Sequence, residues 1–218
     1  MTVIAFCGSK GGPGKTTLAT NTATWLAQRD SVLLIDADGQ SSSAKWQQRR
    51  GKRADVVQVP CIQMTHDLIS AVKEQSKHYA NIVIDVGGRD SSELRSSLVV
   101  ADVVVVPVKA SQLDLETLPL MASHIKAAQE MRSGVDLKSK AFIVISMAPT
   151  NQFIKDEQVA RETLSSFDFG IVLPVLPKAI CERKAYRDAV ADGLSVLEGS
   201  NVHAQREINE LAEAIFNG

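Results

Sequence analysis

The stretch SKGGPGKTT, Ser9 to Thr17, has the residue types of a phosphate-binding loop. An apolar run, VIAFC, precedes it and a helical pattern follows, which is the setting such a loop needs. Gly11, Gly12 and Gly14 let backbone N–H groups turn inward around phosphate oxygens. Pro13 fixes one φ where no donor is required. The N-terminus of the following helix adds its positive dipole. Lys15 suits the β and γ phosphates, and the Thr16 hydroxyl suits Mg²⁺, with Thr17 beside it. The standard spacing G-x-x-x-x-G-K-[ST] fails at one position, because Ser9 stands where its first glycine belongs. A lysine five residues before Lys15 does not easily reach the same phosphates from the same side. Lys10 is therefore either a solvated loop lysine or a group that reaches a nucleotide held by a facing subunit.

Two acidic strand ends accompany the loop. LLIDADGQ closes on Asp36 and Asp38, two carboxylates too close in sequence to share one role. Phosphoryl transfer is mostly positioning and charge stabilisation, so a carboxylate near the nucleophile suffices; helix-capping aspartates are the alternative. NIVIDVGG ends in Asp85, which can hold Mg²⁺ through water, followed by Gly87 and Gly88, whose N–H groups can sense a γ phosphate. Arg89 either touches phosphate or forms a surface pair with Asp90.

These residues need a scaffold of strands ending at one edge. Apolar runs recur at 3–7, 31–36, 56–59, 81–86, 102–108, 141–147 and 170–175, mostly continuous rather than alternating. That pattern predicts strands covered on both faces, as in a parallel sheet. Helices are predicted over 14–28 and about 64–78, 112–131, 152–166, 178–192 and 201–216. The polar segment 39–53 reads as loop or half helix. The alternation predicts a doubly wound, mostly parallel α/β fold with ligands at the C-terminal strand ends. No internal repeat or linker interrupts it, so 1–218 reads as one domain. Trp25 is expected in the core and Trp46 on the surface.

The bulk numbers narrow the function. With 218 residues and 44% hydrophobic content, the chain can bury a sizeable core, and a net charge of −1 gives no global basic field. Nucleic-acid binding then requires a local patch. Three cysteines, Cys7, Cys61 and Cys181, lack CxxC spacing and read as reduced cytosolic thiols. His66, His78, His124 and His203 lack metal spacing. MTVIAFCG reads as a buried strand rather than a signal peptide, and no apolar run approaches a membrane span. A cytoplasmic location is expected.

K-G-G-P-G-K-T resembles the deviant Walker A box of the ParA/MinD ATPases. The resemblance implies a P-loop ATPase fold, with ATP and Mg²⁺ as cofactors and a homodimer that forms with ATP. Lys10 would cross the interface to the partner's phosphates. In the family, LLIDADGQ corresponds to D-x-D-P-Q, so Asp36 lies near Mg²⁺ and its water shell. Asp38 helps position the attacking water, Gln40 matches the glutamine, and Gly39 replaces a proline. Pro107, Ser111, Asp114 and Leu115 resemble the P-x-x-x-S-x-x-D segment of small partition ATPases, expected at the dimer interface; an N-terminal helix charge is the alternative for Asp114. Gly193, Ser195, Val196 and Glu198 match the G-x-S-V-x-E of the small ParF-like members. Members usually read the purine after the sixth strand, where Met147 and Pro149 stand, and no adenine reader is assigned.

The resemblance implies weak, partner-stimulated ATP hydrolysis, nonspecific nucleoid DNA binding in the ATP state and a ParB-like or other cargo adaptor. Low-copy plasmid partition is the expected task, and positioning of a protein cargo such as carboxysomes or chemoreceptor clusters the alternative. Two basic clusters are candidates for DNA phosphates: Lys178, Arg183, Lys184 and Arg187, opposed by Glu182 and Asp188, and Lys45, Arg49, Arg50, Lys52 and Arg53. Each is otherwise a solvated face. A MinD-like membrane switch needs a basic amphipathic tail, and VHAQREINELAEAIFNG is acidic. An iron–sulfur role needs cysteines after Asp85, and none occurs before Cys181. Ligase chemistry needs a second-substrate pocket, and Lys10 argues against it.

Overall fold

A computed structural model describes residues 1–88, 90–133, 139–151 and 153–217. Arg89 lies outside them, and so does the expectation that it touches phosphate or pairs with Asp90. Seven strands form one parallel sheet: β1 (Thr2–Phe6), β2 (Val32–Ala37), β3 (Cys61–Gln63), β4 (Asn81–Val86), β5 (Val103–Lys109), β6 (Lys140–Ala148) and β7 (Ile180–Cys181). Their order is β3-β2-β4-β1-β5-β6-β7, with parallel pairing throughout. This is the doubly wound sheet that the apolar runs require.

Alternate strand residues feed two cores. Val3 and Ala5 of the first strand, with Cys7 just after it, face one core, packed by α3 (Leu68–Gln75), α4 (Ser92–Val100), α6 (Leu118–Ser133) and α7 (Asp156–Ser165). Ile4 and Phe6 face the other, packed by α1 (Lys15–Ala27), α2 (Ser42–Arg50), α8 (Lys184–Ala191) and α9 (Val202–Asn217). A short α5 (Gln112–Leu115) sits beyond the end of β5.

The sheet centre matches the expected strands, and its edges do not. Residues 56–59 are not a strand; the edge strand is Cys61–Gln63, just after Pro60. Residues 170–175 contribute only an isolated bridge between Ile143 and Val175, and β7 begins five residues after that bridge. Pro174 and Pro177 supply no N–H to a ladder there. The helix expected over 112–131 is broken between Leu115 and Leu118, and Pro119 sits in the first turn of α6, where proline is tolerated. Helix α4 was not anticipated from sequence. Its signal was available: Ser91 is an N-cap accepting from the Leu94 amide at 3.2 Å, and Leu94 and Leu98 share one face.

The expectation for Trp46 requires correction, while Trp25 packs against the edge of the core. Trp46 is fully buried, its Nε1 donating to the Leu194 carbonyl at 3.0 Å. Trp25 is half-buried, stacked on Phe216 with ring centroids 5.7 Å apart.

Candidate functional site

The phosphate loop leaves β1 at the sheet centre and ends at Gly14, the N-cap of α1. Gly12 and Gly14 hold φ of 92° and 85°, the left-handed region that glycine enters freely. Gly88 is needed for a different reason. A Cβ there would lie 2.5 Å from the Lys10 carbonyl carbon and 2.6 Å from the Gly11 nitrogen. The end of β4 therefore supports the loop by direct backbone contact.

Lys15 is buried and donates to the Lys10 carbonyl at 2.6 Å. Burial lowers its pKa, opposed by the charges of Asp85 and Asp38. Thr16 Oγ1 donates to Asp85 Oδ2 at 2.7 Å, as does Ser43 Oγ at 2.7 Å. Ser43 was not singled out from sequence; the hydroxyl run Ser41–Ser43 after the paired aspartates was the available signal. Asp36 and Asp85 are register partners on neighbouring strands. Asp36 accepts from the Ala44 amide at 2.8 Å and the Asp38 amide at 3.1 Å, and burial raises its pKa. Asp85 is pushed up to about 7, by burial first and by the Asp36 charge, against the Ser43 and Thr16 hydrogen bonds.

Asp85 Oδ1 is buried without a hydrogen-bond partner, although Oδ2 takes two donors. An orphaned carboxylate oxygen beside a hydroxyl and a second carboxylate fits a hydrated divalent cation. No cluster of three or more His, Cys, Asp or Glu among the described residues forms a metal cage. Two carboxylates and a hydroxyl leave most of a cation's coordination to phosphate and water, which is the habit of Mg²⁺.

Two cavities flank the loop. One, of about 560 Å³, is lined by Gly11, Asp38, Gln40, Gly87 and Gly88 among others. Asp38 Oδ1 accepts from the Gln40 amide at 3.0 Å, and a Cβ on Gly87 would come within 3.2 Å of it. The other, about 350 Å³ and largely apolar, lies between Pro13, Gly14, Thr17, Met147, Ile180 and Tyr186. Its place beside the loop and its apolar walls suit a purine and ribose. Met147 holds a φ of 53° there, an uncommon posture for a non-glycine residue.

Lys10 turns away from its own loop. Its Nζ donates to the Leu113 carbonyl at 2.5 Å and lies 3.5 Å from Asp114, with its side chain 41% exposed. Ser111 donates to Asp114 at 2.7 Å, so Pro107, Ser111 and Asp114 all fall beside the loop's outer edge.

The basic candidates divide. Arg50 is corrected: it is fully buried and bidentate to Glu198 at 2.9 and 2.6 Å, so it presents nothing to DNA. Arg183 is largely taken up by Glu207, at 2.6 and 2.9 Å. Arg49 is half-buried and donates to the Val190 carbonyl at 3.1 Å. Lys178, Lys184 and Arg187 are exposed, with Lys184 3.4 Å from Asp188 and Arg187 3.4 Å from Glu182. The Arg49–Val190 bond joins α2 to α8. A Cβ on Gly193 would lie 2.5 Å from the Arg50 nitrogen, so G-x-S-V-x-E is the seam between these two helices. The two basic clusters, far apart in sequence, are thereby linked through Arg49 and Gly193.

The chain belongs to the CobQ/CobB/MinD/ParA nucleotide-binding domain family, whose model matches residues 4–196, and it is a ParA/MinD-family protein. Among its relatives, it is 30% identical to the "Maintenance of carboxysome distribution protein A" of Halothiobacillus neapolitanus, covering 98% of this chain and 95% of that protein. It is 23% identical to "Protein ParA" of Rhizobium radiobacter, over 100% and 92% of the two chains. Its fold matches the apo McdA structure from Cyanothece with a TM-score of 0.79 at 16% identity, covering 98% and 99%.

Proposed function

We propose that this chain is an ATP-driven dimerisation switch that positions a cargo over DNA, and that the cargo is a protein assembly. The posture of Lys10 supports the switch: this part-exposed loop lysine is directed away from its own phosphate site and onto the short helix α5 at the loop's outer edge, the side from which a facing copy would approach. In this reading the whole chain acts as one unit. Lys15 and the loop amides from Gly11 to Thr17 hold the phosphates, with Gly87 and Gly88 sensing the terminal one. Thr16, Asp36 and Asp85 hold Mg²⁺, which when bound neutralises phosphate charge. Asp38 orients the attacking water, and Lys10 stabilises the partner's phosphates. Hydrolysis is weak until an adaptor protein stimulates it.

The 30% identity to the carboxysome-distribution protein, across nearly both chains, favours a protein cargo over the plasmid expected from sequence. Plasmid partition is the second reading, supported by the likeness to the Rhizobium ParA protein. Lys45, Lys52, Lys178, Lys184 and Arg187 supply the exposed cations of this DNA surface, and dimerisation doubles it. The protein is then cytoplasmic and nucleoid-associated with ATP. No helix among the described residues is long and apolar enough to cross a membrane.

The test is the mass of the protein in solution with ADP and with ATP plus Mg²⁺, in an Asp38→Ala background that slows hydrolysis, with and without Lys10→Ala. ATP should double the mass, and Lys10→Ala should abolish the doubling. A monomer in every state refutes the switch. Binding of the ATP form to nonspecific DNA should fall steeply with salt; no binding at low salt refutes the DNA surface.

A further inference from the structure

The position of Lys109 identifies a third lysine at the phosphate loop, after Lys10 and Lys15. Strand β5 runs past the end of β1: the last register pair is Phe6 with Val105, and the Cys7 amide donates to the Val105 carbonyl at 3.0 Å. Residues Val106 to Lys109 then continue alongside the loop. Strand alternation puts Val103 and Val105 in the core beneath α1, and Val104, Val106 and Val108 in the opposite core. Lys109 is in phase with the first set, on the face where the loop enters α1. Its Nζ lies 3.7 Å from where a Cβ on Gly12 would stand. Its register partner on β6, Ser146, donates to the Pro13 carbonyl at 2.7 Å, so this strand pair grips the loop from one side.

Lys109 is half-buried, and its ammonium makes no hydrogen bond or ion pair with a described residue. This contrasts with its neighbours. Lys15 is engaged with the loop carbonyl of Lys10, and Lys10 with Leu113 and Asp114. A partly desolvated cation beside inward-turning amides lacks an anion, and the anion these amides fit is a phosphate. We infer that Lys109 binds the di- or triphosphate chain of the nucleotide held by its own chain's loop. This deepens the proposed ATP reading and rests on it. Lys109 thereby supplies within one chain a second positive charge that does not depend on dimerisation.

The experiment is titration of the full chain with a fluorescent ADP analogue and a fluorescent ATP analogue, each with Mg²⁺, for wild type, Lys109→Gln and Lys109→Arg. Loss of a charge-assisted phosphate contact should weaken both nucleotides by about tenfold in Lys109→Gln, while Lys109→Arg stays within about threefold of wild type. The affinity of Lys109→Gln should also depend less steeply on salt. Thermal melting without nucleotide checks that the variants fold. As a second readout on the unmutated protein, bound ADP should protect Lys109 from amine acetylation, while adenosine should not. An affinity within about twofold of wild type in folded Lys109→Gln overturns the inference. So does an unprotected Lys109 with ADP bound. A wild-type chain that binds neither nucleotide overturns the ATP reading itself, and is told apart from failure of the lysine contact by that control.

Discussion

Arg50→Ala separates two accounts of the same residue. As a surface cation it would contribute to DNA binding and almost nothing to stability. In the structure its guanidinium is fully buried and engages Glu198 through two nitrogens. It also donates to the Val57 carbonyl at 2.8 Å and the Gly193 carbonyl at 3.1 Å, and lies 5.1 Å from the Trp46 ring centroid. Removing it leaves Glu198, with a side chain 13% exposed, without its guanidinium partner and with the Ser195 amide still donating to it at 2.9 Å. Two backbone carbonyls lose their donor as well. Breaking a buried pair by deleting one partner costs about 3–5 kcal/mol. That is a large share of the roughly 5–15 kcal/mol a domain has in total. Urea unfolding followed by circular dichroism measures it directly. Arg50→Lys should lose less, because it keeps the charge but not the bidentate fork. The double variant Arg50→Ala/Glu198→Ala should be less destabilised than the sum of the two single ones. A loss below about 1 kcal/mol, the range of exposed pairs, would refute the argument.

Gly88→Ala should reduce nucleotide affinity by more than about tenfold, since its Cβ would overlap the Lys10–Gly11 backbone that shapes the loop; isothermal titration with ADP checks this, and unchanged affinity refutes it. Asp85 gives a pH signature. Its folded pKa of about 7 exceeds the roughly 3.9 of an unfolded aspartate, so its stabilising contribution is present below about pH 4 and lost as pH rises to about 7. Unfolding free energy of the nucleotide-free protein should therefore fall across that window, and Asp85→Asn should flatten the fall; an unchanged slope refutes the assignment. The thiols should be sluggish toward a disulfide reagent at pH 8, because burial pushes Cys7 and Cys61 up to about 12 and Cys181 to about 11. Cys181 should react first, and nucleotide should slow it further, since it lines the apolar cavity beside the loop.

Much of the candidate site was legible because its parts are contiguous. A phosphate loop is one turn of chain between a strand and a helix, and SKGGPGKTT carries its glycines, lysine and threonine in a row. The central strands β2, β4, β5 and β6 fell within one or two residues of their apolar runs, because burial on both faces leaves a continuous apolar signature. Edge strands carry no such signature: β3 has three residues and β7 two, and their positions follow from what the neighbouring strand leaves unpaired. Ser43 and Lys109 escaped notice for a related reason. A serine or a lysine has no pattern that says where its side chain will point.

The sequence alone determined the nucleotide-binding family and the layered α/β scaffold, since both depend on neighbours along the chain. Tertiary structure decided which of the charges are free. Arg50 and Lys52 are two residues apart in one basic run, yet one is sealed against a carboxylate 148 positions away and the other is exposed. Likewise, the end of α2 packs on the turn after α8 because Gly193 has no side chain to hold them apart. Charge is written in the sequence, but its availability depends on desolvation and pairing, and these are set by contacts between distant segments.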